Sequence, residues 1–359
     1  MAKSGQHGGN VLQMAEQFDL DPTKVIDFSA NINPLGIPPQ VRDAIVSQLD
    51  CLQHYPDIEY LKLHQSLATH HDCPAPWVLP GNGATELIFL WAQYVKPKTA
   101  LLIEPSFAEY RRALSRVGCA IDNYVLREED GFAVTERVLD ALHGELDCLF
   151  ICTPNNPTGL MPGRELLSTI VDRCRQLNIR LFVDESFIDF MPNQPSLSQC
   201  LADNPHLYVL RSLTKFYALP GLRLGYLLSA DQTLLAEIRD EREPWTINAL
   251  AALAGEILFE DDIYCQATYQ WLAQEQKYLQ TELARFKPLQ LFAPSANYLF
   301  FKHLNPTSSL QHDLMRHGIL IRSCANYIGL SDAFYRVAIK SHADNQRLIH
   351  ALQKVLSHG

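Results

Sequence analysis

The sequence predicts an α/β chain, with a large unit on a mostly parallel sheet followed by a smaller α+β unit. Three observations predict it. Between residues 100 and 228, apolar runs of strand length alternate with runs of helix length, the pattern of a parallel sheet covered on both faces. After Arg239 the alternation gives way to two long helices and then three strands. The chain has 359 residues, 47% of them hydrophobic and 19% charged, which is enough for one large core and a smaller one.

The elements follow in order. Residues 1–36 read as an arm: polar His7-Gly8-Gly9-Asn10, a short amphipathic helix over 11–18, then Asp27-Phe28-Ser29-Ala30-Asn31-Ile32-Asn33-Pro34-Leu35-Gly36. Helices are predicted over 38–49, where Pro38 and Pro39 suit a helix start, and over 59–70. Leu79 to Glu86 reads as a glycine-rich turn that opens a helix over 87–94, so its backbone N–H groups suit a phosphate. Strands over 100–103, 121–125, 148–152, 179–183, 207–210 and 224–228 alternate with helices over 107–117, 134–142 and 166–177. Helices over 249–259 and 264–286, strands over 298–301, 319–321 and 335–339, and a helix over 345–356 complete the smaller unit. The expected division is an arm of 1–36, a large domain of 37–239 and a small domain of 240–359.

A net charge of −10 and a pI near 5.7, with no long basic run, argue against nucleic acid or an anionic membrane as partner. The nine scattered cysteines form no C-x-x-C pair, which is the usage of a reducing compartment. The amino terminus has no apolar core of a secretory signal and no run reaches a membrane span, so a cytoplasmic location is expected.

The chemistry is expected at Ser212-Leu-Thr-Lys215-Phe-Tyr-Ala-Leu-Pro-Gly-Leu-Arg223, between two apolar strands. A lysine there suits imine formation with an aldehyde, while Ser212 and Arg223 suit an anionic tail of the same molecule. Pyridoxal 5'-phosphate (PLP) is such an aldehyde. The S-x-x-K of acyl-enzyme hydrolases is the rival reading, but it also needs a K-T-G, and the chain has none.

Three loops then combine: Asn155-Asn156-Pro157-Thr158-Gly159 after one strand, Asp184 at the end of the next, and the lysine stretch after the third. Their order and spacing resemble the fold-type I PLP-dependent enzymes, the aspartate aminotransferase superfamily. The resemblance implies a seven-stranded sheet and a homodimer with shared active sites. It implies that Asp184 pairs with the pyridine nitrogen, Asn156 with the ring 3'-oxygen, and that Phe107 stacks on the ring. Ala84, Thr85, Ser212 and Arg223 would hold the cofactor phosphate, Tyr55 would reach that of the neighbouring subunit, and Arg336 would clamp a substrate carboxylate. No metal is implied.

Within that superfamily the chain most resembles the threonine-phosphate decarboxylases of cobalamin biosynthesis. His7-Gly8-Gly9-Asn10, the stretch from Asp27 to Gly36, Arg211 to Gly225, and Ile321-Arg322-Ser323-Cys324-Ala325-Asn326-Tyr327 carry this likeness. It implies that His7, Asn31 and Arg322 hold the phosphate of L-threonine O-3-phosphate, with Arg336 and Asn156 near its carboxylate. Phe187 stands where many aminotransferases carry a tyrosine that bonds the ring oxygen. A histidinol-phosphate aminotransferase is the alternative, since it would share Arg322. A non-catalytic relative would be expected to have lost Lys215 or Asp184, and both are present.

Overall fold

The computed structural model describes residues 7–293 and 296–356, so the first six residues of the predicted arm and Ser295 lie outside the described residues. The strands are β1 Ile26–Asp27, β2 Val78–Gly81, β3 Thr99–Glu104, β4 Ala120–Val125, β5 Cys148–Cys152, β6 Arg180–Asp184, β7 Leu207–Ser212 and β8 Gly225–Leu228. They continue as β9 Leu289–Leu291, β10 Tyr298–His303, β11 Ile319–Leu320, β12 Arg322–Ser323 and β13 Phe334–Ala338. The α-helices are α1 Val11–Gln17, α2 Pro39–Ser47, α3 Leu61–His70, α4 Ala84–Val95, α5 Ala108–Arg116, α6 Arg164–Gln176, α7 Gln232–Glu241, α8 Ala249–Ile257, α9 Asp262–Leu283, α10 Leu310–Met315 and α11 His342–Leu356.

The large sheet has seven strands in the order β2-β8-β7-β6-β5-β3-β4, with β4, β3, β5, β6 and β7 mutually parallel. Every residue of β5 is buried, as a strand covered on both faces must be. The carboxyl ends of β5, β6 and β7 therefore share one edge, where Cys152 pairs with Asp184 and Asp184 with Leu210. The loops that sequence marked for chemistry all leave from this edge.

Three departures from the sequence reading have physical causes. β8 returns antiparallel to β7, with Ser212 opposite Gly225. A parallel crossover needs a covering helix, and the connection from Leu213 to Leu224 contains none, so the chain folds straight back. The lysine stretch is thus a loop closed at its base. Leu79 to Gly81, read as turn, belongs to β2, the seventh strand, which pairs only with β8. Pro80 lacks an N–H, which a strand at the sheet edge tolerates. The helix predicted over 134–142 is instead a 3-10 segment, Glu136–Ala141. So short a run, ending at His143-Gly144, does not repay α-helix nucleation.

A second sheet, β12-β13-β10-β9, is antiparallel. The arm joins this part of the chain through a separate two-stranded sheet, in which β1 pairs in parallel with β11 (Ile26 opposite Ile319), while Met14 and Ala15 of α1 pack on Met315 and Leu320. The arm also ties down the lysine loop. Asn33 donates its N–H to Lys215 O at 3.0 Å and its amide to Phe216 O and Thr268 Oγ1, each at 2.8 Å. Asn33 is 2% exposed, so these bonds form away from water, where a lost partner is costly.

Gly225 shows how closely α4 approaches the sheet. A Cβ there would stand 2.6 Å from Ala84 N and 2.9 Å from Arg211 O, both backbone atoms that cannot step aside. Gly225→Ala is therefore expected to cost about 1–3 kcal/mol of stability, read from the urea unfolding midpoint. Gly221→Ala meets nothing within 4 Å and should stay within about 0.5 kcal/mol of the parent.

Candidate active site

Lys215 is half-buried at the tip of the β7–β8 loop, and its Nζ donates to Ser212 Oγ at 2.9 Å. Ser212 is 1% exposed and also shares a 2.9 Å bond with Thr214 Oγ1. Desolvation pushes the Lys215 amine below its ordinary pKa; Asp184 and Cys152 pull it back up, and Arg223 and Arg336 push it further down. An amine so placed is neutral, and nucleophilic, over more of the pH range than a solvated lysine. Its Nζ lies 5.5 Å from the centre of the Phe187 ring, where a tyrosine would have placed a hydroxyl.

Asp184, at the end of β6, is 5% exposed, and both of its carboxylate oxygens are held. Oδ1 accepts Ser186 N–H at 2.8 Å and Oδ2 accepts the Tyr110 hydroxyl at 2.5 Å. Phe107 caps the start of α5 and contacts Tyr110 edge-on, the ring centroids 5.7 Å apart.

The start of α4 is built for an anion. Gly83 occupies the left-handed region (φ 82°) and no side chain caps the helix, so no side chain competes for the N–H groups of its first turn, which includes Ala84 and Thr85. Such a helix end attracts a phosphate. Arg223, itself left-handed (φ 62°), donates to Pro220 O at 3.1 Å. It presses its guanidinium so close to Gly83 that a Cβ there would be 2.5 Å from Nη2.

Arg336 lies on β13 directly opposite Arg322 on β12, and the two are 5% and 4% exposed. Arg336 donates to Ser29 O of the arm at 2.6 Å and to Asn156 Oδ1, and its guanidinium lies 5.4 Å from the Tyr298 ring centre. Its Nε is buried without a hydrogen-bond partner, and among the described residues no carboxylate pairs with it. Asn156 Oδ1 also accepts from Tyr327 Oη at 3.4 Å, which leaves the Asn156 NH₂ as the donor open to a ligand. Arg322 donates to Asn326 Oδ1 at 2.6 Å and lies 5.5 Å from the Tyr327 ring centre. Asn31 is 5% exposed, and both polar atoms of its amide are buried without partners. Like-charged neighbours across a strand pair and orphaned amides are costly in an empty interior. Here they mark where an anion fits.

His7 Nε2 lies 2.9 Å from Glu109 Oε1, with its ring centroid 5.7 Å from that of Phe107. The two glycines that follow explain its placement. A Cβ on Gly8 would meet Ser29 O at 2.2 Å, and Gly9 N–H bonds Ser29 Oγ at 2.7 Å. Of the residues singled out from sequence, Tyr55 alone stands apart, 81% exposed, with its ring tilted against that of Trp245 at a centroid distance of 4.8 Å. Sequence reasoning missed Tyr298, whose hydroxyl bonds Asn155 O at 2.6 Å under Arg336, and the bond from Tyr110 to Asp184. Tyr110 follows Phe107 by three residues, which puts both on one helix face, a signal that could have been read.

The family model for aminotransferase class I and II matches residues 23–352. The threonine-phosphate decarboxylase of Salmonella typhimurium is 51% identical over 351 residues, covering 98% of this chain and 96% of that protein. An adenosylcobalamin biosynthesis bifunctional protein of Leptospira interrogans is 31% identical, over 98% of this chain and 41% of its own length. The crystal structure of a histidinol-phosphate aminotransferase from Clostridium acetobutylicum superposes with a TM-score of 0.86 at 30% identity, covering 92% of this chain and 99% of that one.

The lowered amine pKa makes a signed prediction for the cofactor-free protein. The unfolded chain holds the Lys215 proton to about pH 10.5 and the folded chain releases it earlier, so this group opposes folding below the folded pKa. The penalty fades as pH rises from the folded pKa towards 10.5. Lys215→Met should therefore unfold at a higher temperature than the parent at pH 7, with the gap closing as pH approaches 10. A gap that is constant with pH would refute the desolvation.

Proposed function

The chain belongs to the class I and II aminotransferase family, and within it we propose that the protein decarboxylates L-threonine O-3-phosphate with PLP. The products are (R)-1-amino-2-propanol O-2-phosphate and carbon dioxide, serving the aminopropanol arm of cobalamin biosynthesis. The observation that carries this reading is the buried pair Arg322 and Arg336 beside the orphaned Asn31 amide. Two guanidinium groups on facing residues fit a small substrate with an anion at each end.

The residues present fit the cofactor. Lys215 would carry it, Asp184 would face the pyridine nitrogen, and the Asn156 NH₂ would donate to the 3'-oxygen. Phe107 would cover the ring. The Ala84 and Thr85 N–H groups, with Ser212 and Arg223, would hold the phosphate. When bound, PLP supplies the sink for the electron pair left on Cα as carbon dioxide departs.

The chain's own groups do the rest. Arg336 grips the substrate carboxylate and, held by Ser29 O, Asn156 and Tyr298, fixes the bond to be broken across the ring plane. His7, Asn31 and Arg322 hold the substrate phosphate. Once its amine is free, Lys215 is the acid within reach that returns a proton to Cα. A histidinol-phosphate aminotransferase is the second reading, favoured by the structural likeness to one. Phe187 argues against it, because no phenol stands there to bond the ring oxygen.

Val46, Leu49, Leu52, Tyr55, Ile58 and Leu61 are each about half exposed or more, a concentration of apolar surface around α2 and α3 that suits a homodimer. Tyr55 would then reach the neighbour's cofactor phosphate, which accounts for its isolation in one subunit. All nine cysteines are unpaired, which suits the cytoplasm. Among the described residues no helix is long and apolar enough to cross a membrane. The division into an arm of 1–36, a large domain of 37–239 and a small domain of 240–359 belongs to the same reading.

The test supplies PLP and L-threonine O-3-phosphate to the purified protein and follows carbon dioxide, with histidinol phosphate and 2-oxoglutarate in parallel. Sustained carbon dioxide release is expected; glutamate formed from histidinol phosphate without it would overturn the reading. Arg322→Ala should lower kcat/KM for the phosphorylated substrate about a hundredfold, from loss of a charged hydrogen bond. Its effect on unphosphorylated L-threonine should be within about threefold, since no phosphate is there to lose a partner.

A further inference from the structure

We propose that Tyr110 is a positioning residue that fixes the Asp184 carboxylate against the ring nitrogen of the bound cofactor and so keeps positive charge on that nitrogen. The inference rests on the PLP reading and assigns a group that the reading does not use. Tyr110 is 1% exposed and donates to Asp184 Oδ2 at 2.5 Å, while Ser186 N–H holds Oδ1 at 2.8 Å. With both oxygens tethered, the carboxylate cannot rotate, and a lone pair on each oxygen remains for a ligand. Phe107 at the N-cap of α5 and Tyr110 in its first turn are in ring contact, so the start of one helix sets the ring cover and the orientation of its carboxylate together.

The electrostatics give the contact a direction. Burial first, and then the charge of Asp184, push the Tyr110 phenol well above its ordinary pKa, so it remains the donor at any working pH. A carboxylate fixed in this way and facing a pyridine nitrogen favours a proton on that nitrogen, where its charge strengthens the electron sink. Cys152 lies beside the pair, paired in register with Asp184, and its thiol is buried and protonated, its pKa raised first by that burial. Lys215 and Tyr298 also feel the charge of Asp184, and Arg336 acts on both of them, with Arg223 acting on Lys215 as well.

The readout is the pH midpoint at which the visible absorption of the bound cofactor changes in the holoenzyme. Tyr110→Phe leaves the ring and removes the donor. Asp184 is then free to turn away from the ring nitrogen, the ring loses charge, and the nitrogen through which Lys215 holds the cofactor keeps its proton to higher pH. The midpoint should rise by roughly half a unit or more, and kcat should fall about tenfold with KM within about twofold. Replacing Tyr110 by 3-fluorotyrosine keeps the shape and strengthens the donor, so the midpoint should fall. If Tyr110→Phe does not fold, the fluorinated protein decides alone. An unmoved midpoint with only a lower melting temperature would reduce Tyr110 to packing and overturn the inference. Failure of the parent protein to develop the visible band with PLP would instead overturn the cofactor reading.

Discussion

Arg336 is the group on which the arrangement depends. Its guanidinium donates to Ser29 O of the arm and to Asn156 of the loop after β5, while its backbone lies in the small sheet. Three segments far apart in sequence thus meet on one buried cation. Directly opposite stands a second, Arg322. Held at 5% and 4% exposure, the two have given up most of their water. Arg322 is held by Asn326 Oδ1, while Nε of Arg336 is buried without a hydrogen-bond partner, which suits a substrate carboxylate.

The covalent chemistry sits on the other side of the same site, and the sheet explains why it is there. β8 must run back against β7, so the lysine loop closes on itself at Ser212 and Gly225 and displays Lys215 over the carboxyl edge. The arm then fastens the loop through Asn33, whose backbone and amide bonds reach Lys215 O, Phe216 O and Thr268. The two asparagines of the arm divide the work. Asn33 is satisfied and structural, whereas Asn31 is buried with both polar atoms of its amide unpartnered, as suits the proposed ligand contact.

Much of this was legible in the sequence because strands buried on both faces advertise themselves. β5, β6 and β7 fall within a residue or two of the apolar runs that predicted them, and with them the positions of Asn156, Asp184 and Lys215. β2 was not legible: four residues containing Pro and Gly read as turn, and only pairing with β8 makes them strand. The antiparallel sense of β8 follows from a missing crossover helix rather than from its own residues. β1 has two residues and exists only by pairing with β11, a tertiary contact that local pattern cannot carry. At the site, residue types were readable and partners were not. Tyr298 and Tyr110 look like ordinary core aromatics until their hydroxyls are seen on Asn155 O and Asp184. Tyr55 is a different case: it is 81% exposed, and its proposed role needs a second copy of the chain.

In the proposed reaction Arg336 and its partners hold the carboxylate, and not the α-hydrogen, at the reacting position. Turnover of L-threonine O-3-phosphate in deuterium oxide, stopped part-way and read by mass spectrometry and NMR, distinguishes the two. One solvent deuterium on C1 of the aminopropanol phosphate and full retention of the α-hydrogen in recovered substrate are expected. Recovered substrate that has lost its α-hydrogen to solvent faster than product forms would contradict this placement, since the hydrogen would then occupy the reactive position.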